Sequence, residues 1–394
     1  MRLLFVAARL PSPPWQGDRL RAYHQIRLLS HRHAITLVAP MRHPAERRHV
    51  DDVAHFCQAV ELVPAPAWRG VLRLVSGLWR DLPWQTIFFS DPQIARRVRT
   101  LTQSGRFDLA HIQLARLAPI AEALAPVPCV LDFIDALSLN MLRRAEREAR
   151  WRAWPFYLEA ARLRRYERRL VRSFARTLVT SEIDRAAIDP QADIRVIPNG
   201  VDLERYAYSE TGRSAAMCIF TGRMSYFPNA DAARYLVDTV WPRVRARRPA
   251  AQLVLAGAEP PPAIRRLATR PGVVGAGTVA DLRPLLSRAT LAVAPLRAGS
   301  GIQNKVLEAM ACGTPVVATS AALAGLQVEA GSQALVADNP DLLATEILRL
   351  LDDPGLRVAL ARRARRLVEQ TYSWDSSVEK LEQVYAEVSE SRLN

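Results

Sequence analysis

The chain has 394 residues, 49% of them hydrophobic, and a mean hydropathy of −0.04; this describes a soluble globular protein too long for one ordinary α/β core and suited to two domains. No apolar run reaches the roughly 18–20 residues that span a bilayer. The four cysteines are scattered and the seven histidines include no ligand spacing such as HExxH, which excludes a disulfide scaffold and a structural metal site.

In chain order, the opening Met-Arg-Leu-Leu-Phe-Val-Ala-Ala-Arg superficially resembles a signal peptide. Its apolar core is short and Arg9 interrupts it, so a buried strand from Leu3 to Ala8 fits better. The loop Pro11 to Asp18 leads into a helix from about Arg19 to Ser30, and Ala34 to Ala39 reads as the second strand. Further strands are expected at Ala59 to Val63, Leu109 to Ile112, Val127 to Phe133 and Thr177 to Thr180, with Asp193 to Ile197 near a boundary. Arg143 to Phe174 reads as helix interrupted at Pro155. Short apolar runs alternating with helices predict a parallel sheet covered on both faces. Pro198-Asn-Gly-Val-Asp202 is a turn-rich break, and a second alternating series follows. Its strands are expected at Met217 to Thr221, Gln252 to Ala256, Leu291 to Ala294, Pro315 to Thr319 and Ala334 to Val336. The expected division is an N-terminal Rossmann-like domain over 1–198, a linker over 199–214 and a C-terminal Rossmann-like domain over 215–375. A helix over 376–394 is expected to pack back towards the N-terminal domain.

Charge is unevenly spread. The net charge is +15; residues 1–188 hold 30 arginines against 17 acids, and the remainder 24 bases against 22 acids. Met141 to Arg176 alone carries twelve arginines and four glutamates. Pro66 to Ser90 mixes Trp68, Trp79, Trp84, Phe88 and Phe89 with Arg69, Arg73 and Arg80. Basic residues beside interfacial aromatics suit an anionic membrane surface; the alternative is a solvated arginine-rich face on ordinary helices. No helix-turn-helix, zinc-finger or RNA-binding signature is present, and no nucleic acid partner is expected.

The most informative stretch is Arg297 to Pro315. Gly299 and Gly301 open a short helix carrying Lys305 and Glu308, Gly313 stops it, and Thr314-Pro315 leads into an apolar strand. Glycines let a backbone approach a bulky anion, and a helix start offers unpaired N–H groups and the positive end of a dipole. Lys305 and Glu308, three apart, share a helix face. One can meet a phosphate while the other accepts from sugar hydroxyls, although the same spacing also describes a surface ion pair. Lys305 and Lys380 are the only two lysines in the chain, which hints that a compact point charge is wanted at 305.

Ile197-Pro-Asn-Gly-Val-Asp202, Phe220-Thr-Gly-Arg223, Leu253-Val-Leu-Ala-Gly257, Gly277-Thr278-Val279 and Gly299 to Pro315 occur in the order found in retaining GT-B glycosyltransferases. The chain resembles family four (group 1). Phe220 to Asp231, with the Pro11 to Arg21 loop, resembles the bacterial exopolysaccharide or PEP-CTERM-associated sugar transferase branch. The resemblance implies an α/β protein of GT-B class: two Rossmann-like doubly wound domains facing a central cleft. It implies that Arg223 and Lys305 neutralise a donor diphosphate, whose charge grows in the transition state. Glu308 would accept from ribose hydroxyls, Gly301 and Ile302 would offer backbone N–H groups, and Thr278 and Val279 would hold the nucleobase. Gly17, Asn199, Gly222 and Ser300 complete the expected donor-binding set.

Two departures accompany the resemblance. Ser300 stands where the family has the first of two glutamates, and Pro228 stands five after Arg223, where the family has a lysine. In the N-terminal domain, Asp135 is the first choice for a catalytic carboxylate and Asp132 the second, though either could cap the following helix. Ile134 occupies the family's histidine position. His111 is a further catalytic candidate, alternatively a satisfied strand-end histidine.

The expected activity is transfer of a hexose-type sugar from a nucleotide-sugar donor, UDP- or GDP-linked. The acceptor would be a lipid-linked or other cell-envelope or exopolysaccharide glycan. No cofactor and no metal are expected, and the expected location is cytoplasmic, peripheral on the inner face of the plasma membrane. The alternatives are a nucleotide-sugar epimerase of the same fold, a phosphorylase-like enzyme, and a non-catalytic binding subunit.

Overall fold

The computed structural model describes residues 1–14, 17–146, 148–279, 281–297 and 301–390. It divides into two compact units, one formed by Met1–Pro198 with Ser377–Asn394, the other by Asn199–Ser376.

The first unit is built on seven parallel strands: β1 (Arg2–Val6), β2 (Ala34–Met41), β3 (Ala59–Pro64), β4 (Leu109–Gln113), β5 (Cys129–Asp132), β6 (Arg176–Val179) and β7 (Ile194–Val196). They lie in the order β3-β2-β1-β4-β5-β6-β7. Both faces are covered, which is why the strands read as continuous apolar runs. Leu4, Val6, Ala110, Ile112 and Leu131 pack on one side; Leu3, Phe5, Leu37, Leu109 and Val130 pack on the other. The C-terminal helix Trp374–Glu390 supplies Val378, Leu381, Val384, Tyr385 and Val388 to this second face.

The second unit has six parallel strands: β8 (Met217–Thr221), β9 (Gln252–Ala256), β10 (Val273–Gly277), β11 (Leu291–Ala294), β12 (Val316–Ala318) and β13 (Leu335–Val336). Their order is β10-β9-β8-β11-β12-β13. Several surrounding helices start on an Asx cap followed by proline at the first helical position, which lacks the N–H that would go unpaired there. Asn339 caps Pro340–Asp352 and Asp353 caps Pro354–Thr371 in this way.

Three expectations need correction. β10 is absent from the sequence reading because Val273-Val-Gly-Ala-Gly277 is glycine-rich and only Val273 is buried. The helix Arg150–Ser173 runs unbroken through Pro155, and the break falls before it, beyond Leu137–Ala145. Pro155 is the sixth residue of this helix, past the first turn, and forfeits the one main-chain bond its N–H would have made to the carbonyl four residues earlier. Residues 199–214, expected as a linker, are fastened into the second unit. Val201 bridges to Ser373, and Arg213 donates to the carbonyls of Ala289 (2.9 Å) and Cys312 (2.8 Å) and to Thr314 Oγ1 (3.0 Å).

Candidate functional site

In an open parallel sheet, ligands bind outside the carboxyl ends of the strands flanking the point where strand order reverses. In the second unit those strands are β8 and β11, paired with Leu291 opposite Cys218. β8 runs into Thr221-Gly222-Arg223. After β11 and a loop, the helix Asn304–Ala311 carries Lys305 and Glu308 on one face. Arg297, on that loop, is held by Asp231, with Nε 3.1 Å from Oδ2.

Asn229 ties the two motifs together. It is buried in the first turn of the helix Phe227–Tyr235. Its Nδ2 donates to the Arg223 carbonyl at 2.9 Å, and its Oδ1 accepts from the Lys305 ammonium. That ammonium also lies 5.3 Å from the centroid of the Phe220 ring, a cation–π contact. Glu308 is hydrogen-bonded by the Tyr206 hydroxyl. Burial lowers the Lys305 pKa from 10.5 to about 7, against the opposing charge of Glu308. Burial raises Glu308 from 4.5 to about 7, opposed by the Tyr206 hydrogen bond, Lys305 and Arg205. Two half-buried groups of opposite sign are thus both drawn towards neutrality, and an anion beside Lys305 would restore its charge. Asn304 Oδ1, at the head of the same helix, is buried with no hydrogen-bond partner among the described residues.

Arg223 is engaged from the other side. Its Nε and Nη2 lie 3.0 and 2.7 Å from Glu259 Oε2, and Ser225 Oγ donates to the same oxygen at 2.9 Å. The Arg223 hydrogen bond, followed by that of Ser225, holds the Glu259 carboxyl below its usual range. Glu259 has φ 53°, a left-handed conformation that non-glycine residues seldom adopt. Just before it, Gly257 approaches the preceding loop so closely that a Cβ there would stand 1.8 Å from the Gly222 carbonyl oxygen. The loops after β8 and β9 are therefore packed together, with one carboxylate oxygen among three donors. The same donors suit a phosphate oxygen.

The remaining candidates in this unit fall as follows. Thr278 is exposed beyond β10, its Oγ1 3.4 Å from the Glu259 N–H. Val279 and Ile302 are half-buried against the core, and Gly301 is buried. Asn199 is buried at the first residue of the unit. Ser300 and Gly299 lie outside the described residues.

The N-terminal candidates are differently placed. Gly17 opens the helix Gly17–Leu29 with no atom within 4 Å of where a Cβ would stand. His111 and Asp132 are wholly buried. Asp132 Oδ2 accepts from Arg21 Nε at 2.6 Å and from Gln25 at 3.4 Å, while Oδ1 accepts from the Ile134 N–H at 3.0 Å. His111 stacks on Phe5 with centroids 4.4 Å apart, and its Nδ1 is 2.8 Å from the Tyr385 hydroxyl. Burial holds its pKa at about 4, so the ring is neutral. Both catalytic candidates thus lie in an internal tie with no exposed surface. Asp135 is half-buried, 3.4 Å from Thr180 Oγ1. Burial, then the neighbouring Asp184, pushes its pKa up to about 7. Asn229, Tyr206, Glu259 and Asp184 escaped the sequence reading. Neither Asn229 nor Glu259 carried a usable signal, since each is a common polar residue with a key partner 76 or 36 residues away.

Among the described residues no cluster of three or more His, Cys, Asp or Glu is placed to hold a metal ion. Two doubly wound sheets, one with a basic pair at its switch point, define the GT-B class. Residues 215–353 match the family model of glycosyl transferases group 1. D-inositol 3-phosphate glycosyltransferase from Salinispora arenicola is 32% identical over 236 residues, covering 52% of this chain and 52% of that protein. A GDP-mannose-dependent monoacylated alpha-(1-6)-phosphatidylinositol monomannoside mannosyltransferase from Corynebacterium glutamicum is 29% identical, covering 47% of this chain and 54% of that one. The chain thus spans about half the length of these curated relatives. The crystal structure of Anabaena HepE in complex with UDP aligns with a TM-score of 0.70 at 18% identity, covering 98% of this chain and 100% of that one.

Proposed function

We propose that the protein is a retaining glycosyltransferase that moves a hexose-type sugar from a UDP- or GDP-sugar to a lipid-linked or other cell-envelope glycan. The observation that carries the reading is the pair Arg223 and Lys305, joined through Asn229 at the β8/β11 switch point. A departing nucleoside diphosphate gains negative charge in the transition state, and fixed cations there lower the barrier. Lys305 gains its full charge from the diphosphate it receives. Arg223 exchanges the Glu259 carboxylate for a phosphate oxygen, and Glu308 accepts from the ribose. Retention by front-side attack, with a diphosphate oxygen helping to take the acceptor proton, is what the family resemblance implies. Asp135 is the N-terminal carboxyl best suited to proton exchange near neutrality.

The relatives support both donor bases: the Corynebacterium enzyme is named for GDP-mannose, and HepE was crystallised with UDP. The former is also named for a phosphatidylinositol-based acceptor, which supports the lipid-linked reading. No helix among the described residues is long and apolar enough to cross a membrane. The four unpaired cysteines favour a reducing compartment, in keeping with a cytoplasmic enzyme at the inner face of the plasma membrane. The test is product analysis with radiolabelled UDP- and GDP-sugars and a lipid extract, with and without EDTA. The expected result is label in a glycolipid, undiminished by EDTA because Arg223 and Lys305 supply the positive charge. Free labelled sugar or an epimerised donor as the sole product would overturn the transferase reading.

A further inference from the structure

The helix Ala67–Gly77 is turned inside out. Its buried positions are Gly70 and Gly77. A Cβ at Gly70 would lie 2.7 Å from the Phe88 ring, and one at Gly77 would lie 2.9 Å from Ile87. Glycine is a poor helix former, yet here Gly70 and Gly77 let the backbone sit directly on Phe88 and Ile87. The apolar stripe Trp68, Val71, Leu72, Val75, with Leu78 and Trp79 beyond the helix end, faces outward. Trp68 is 60% exposed and Trp79 95%. A stripe at this spacing ordinarily packs against a core.

A second apolar group stands on the helix Arg150–Ser173. Trp151, Trp154, Tyr157 and Leu158 are all exposed, Trp151 by 70% and Trp154 by 62%. The long helix is tied to the segment that directly follows the stripe. Arg162 of the long helix donates to the carbonyls of Arg80 and of Leu82, the latter at 2.8 Å. Glu159 accepts from the N–H groups of Trp84 and Gln85, both at 3.0 Å. Further along the same helix, Arg165, Arg168, Arg169 and Arg172 line a surface hollow. Arg73 is not part of this display, because it is anchored inward to Asp91 and the Phe88 carbonyl, both at 2.9 Å.

We propose that the stripe Trp68 to Trp79, with the start of the helix Arg150–Ser173, is a docking face for an anionic lipid bilayer. Tryptophans carry an apolar ring with a polar N–H and settle at headgroup depth, while arginines beside them pair with lipid phosphates. Charge selects this occupant over a second copy of the chain, which would set arginine rows against each other. The inference extends the lipid-linked-acceptor part of the reading above and does not depend on the donor site.

The test is co-sedimentation of the full chain with vesicles of phosphatidylcholine alone and of phosphatidylcholine mixed equally with phosphatidylglycerol. Binding is expected to the anionic vesicles and to weaken with salt. The double variant Trp68→Ala/Trp79→Ala should bind at least about tenfold more weakly, and Arg165→Gln/Arg172→Gln should lose binding chiefly at low salt, where the charge attraction is least screened. Far-ultraviolet circular dichroism and the melting temperature of each variant report that the fold is intact. Equal binding to both vesicle types, or tryptophan variants that bind as the parent does, would overturn the proposal. So would a dimer in light scattering that the tryptophan variants dissolve.

Discussion

The two units place charged residues at the carboxyl ends of their strands in opposite conditions. In the first, both oxygens of Asp132 are hydrogen-bonded, one by Arg21 and Gln25 and the other by the Ile134 N–H, in a site with no exposure. In the second, Lys305 is met by an amide and a ring, and Glu308 by a phenol, so burial draws both towards neutrality. Position at a strand end therefore does not distinguish a structural tie from a binding site. Exposure does: Asp132 is sealed against the Arg21 guanidinium, whereas Lys305 and Glu308 stay half-buried.

The sharpest way to break this comparison is to remove one member of each set. Asp132→Ala leaves the Arg21 charge buried without its carboxylate, so a loss of about 3–5 kcal/mol is expected in denaturant unfolding. A stably folded Asp132→Ala protein without activity would instead make Asp132 catalytic. Lys305→Ala should lower turnover by about 10²–10³-fold, the usual loss for one charge-stabilising donor, with little change in melting temperature. Asn229→Ala should cost less, about tenfold in the specificity constant, because it positions Lys305 and the Arg223 loop without meeting the donor.

The pH dependence sharpens the same contrast. In the free protein, burial lowers the Lys305 pKa to about 7. A bound diphosphate favours the ammonium and raises that value, so between the two values the complex holds a proton that the free protein lacks. Binding should take up a proton, and affinity should fall as pH rises above about 7. Calorimetry in buffers of different ionisation enthalpy would show this, and Lys305→Ala should abolish the uptake. The smallest effect is expected from Glu259→Gln, which removes the carboxylate competing for Arg223. It should tighten nucleotide-diphosphate binding a few-fold, and weaker binding would show that Glu259 positions Arg223 instead.

Much of the fold was legible because parallel strands buried on both faces announce themselves as apolar runs. β10 was not, since Val273-Val-Gly-Ala-Gly277 has one buried side chain. In the candidate site, the motifs marked Arg223, Lys305 and Glu308, whose neighbours are glycines and a helix start. Asn229 and Glu259 were hidden because their partnerships span 76 and 36 residues, and neither residue type is unusual at a loop. His111 and Asp132 misled for the converse reason. A histidine and an aspartate on neighbouring strands look the same in sequence whether they face a substrate or Phe5, Tyr385 and Arg21.

The central claim is that the β8/β11 switch point binds a nucleoside diphosphate through Lys305. Its most direct test is a thermal-shift panel of UDP-, GDP-, ADP- and dTDP-sugars on the parent chain and on Lys305→Ala. The account predicts that one base stabilises the parent increasingly with concentration, while Lys305→Ala melts at the parent's unliganded temperature and shows little shift. No shift with any of the four, or an equal shift in Lys305→Ala, would contradict it.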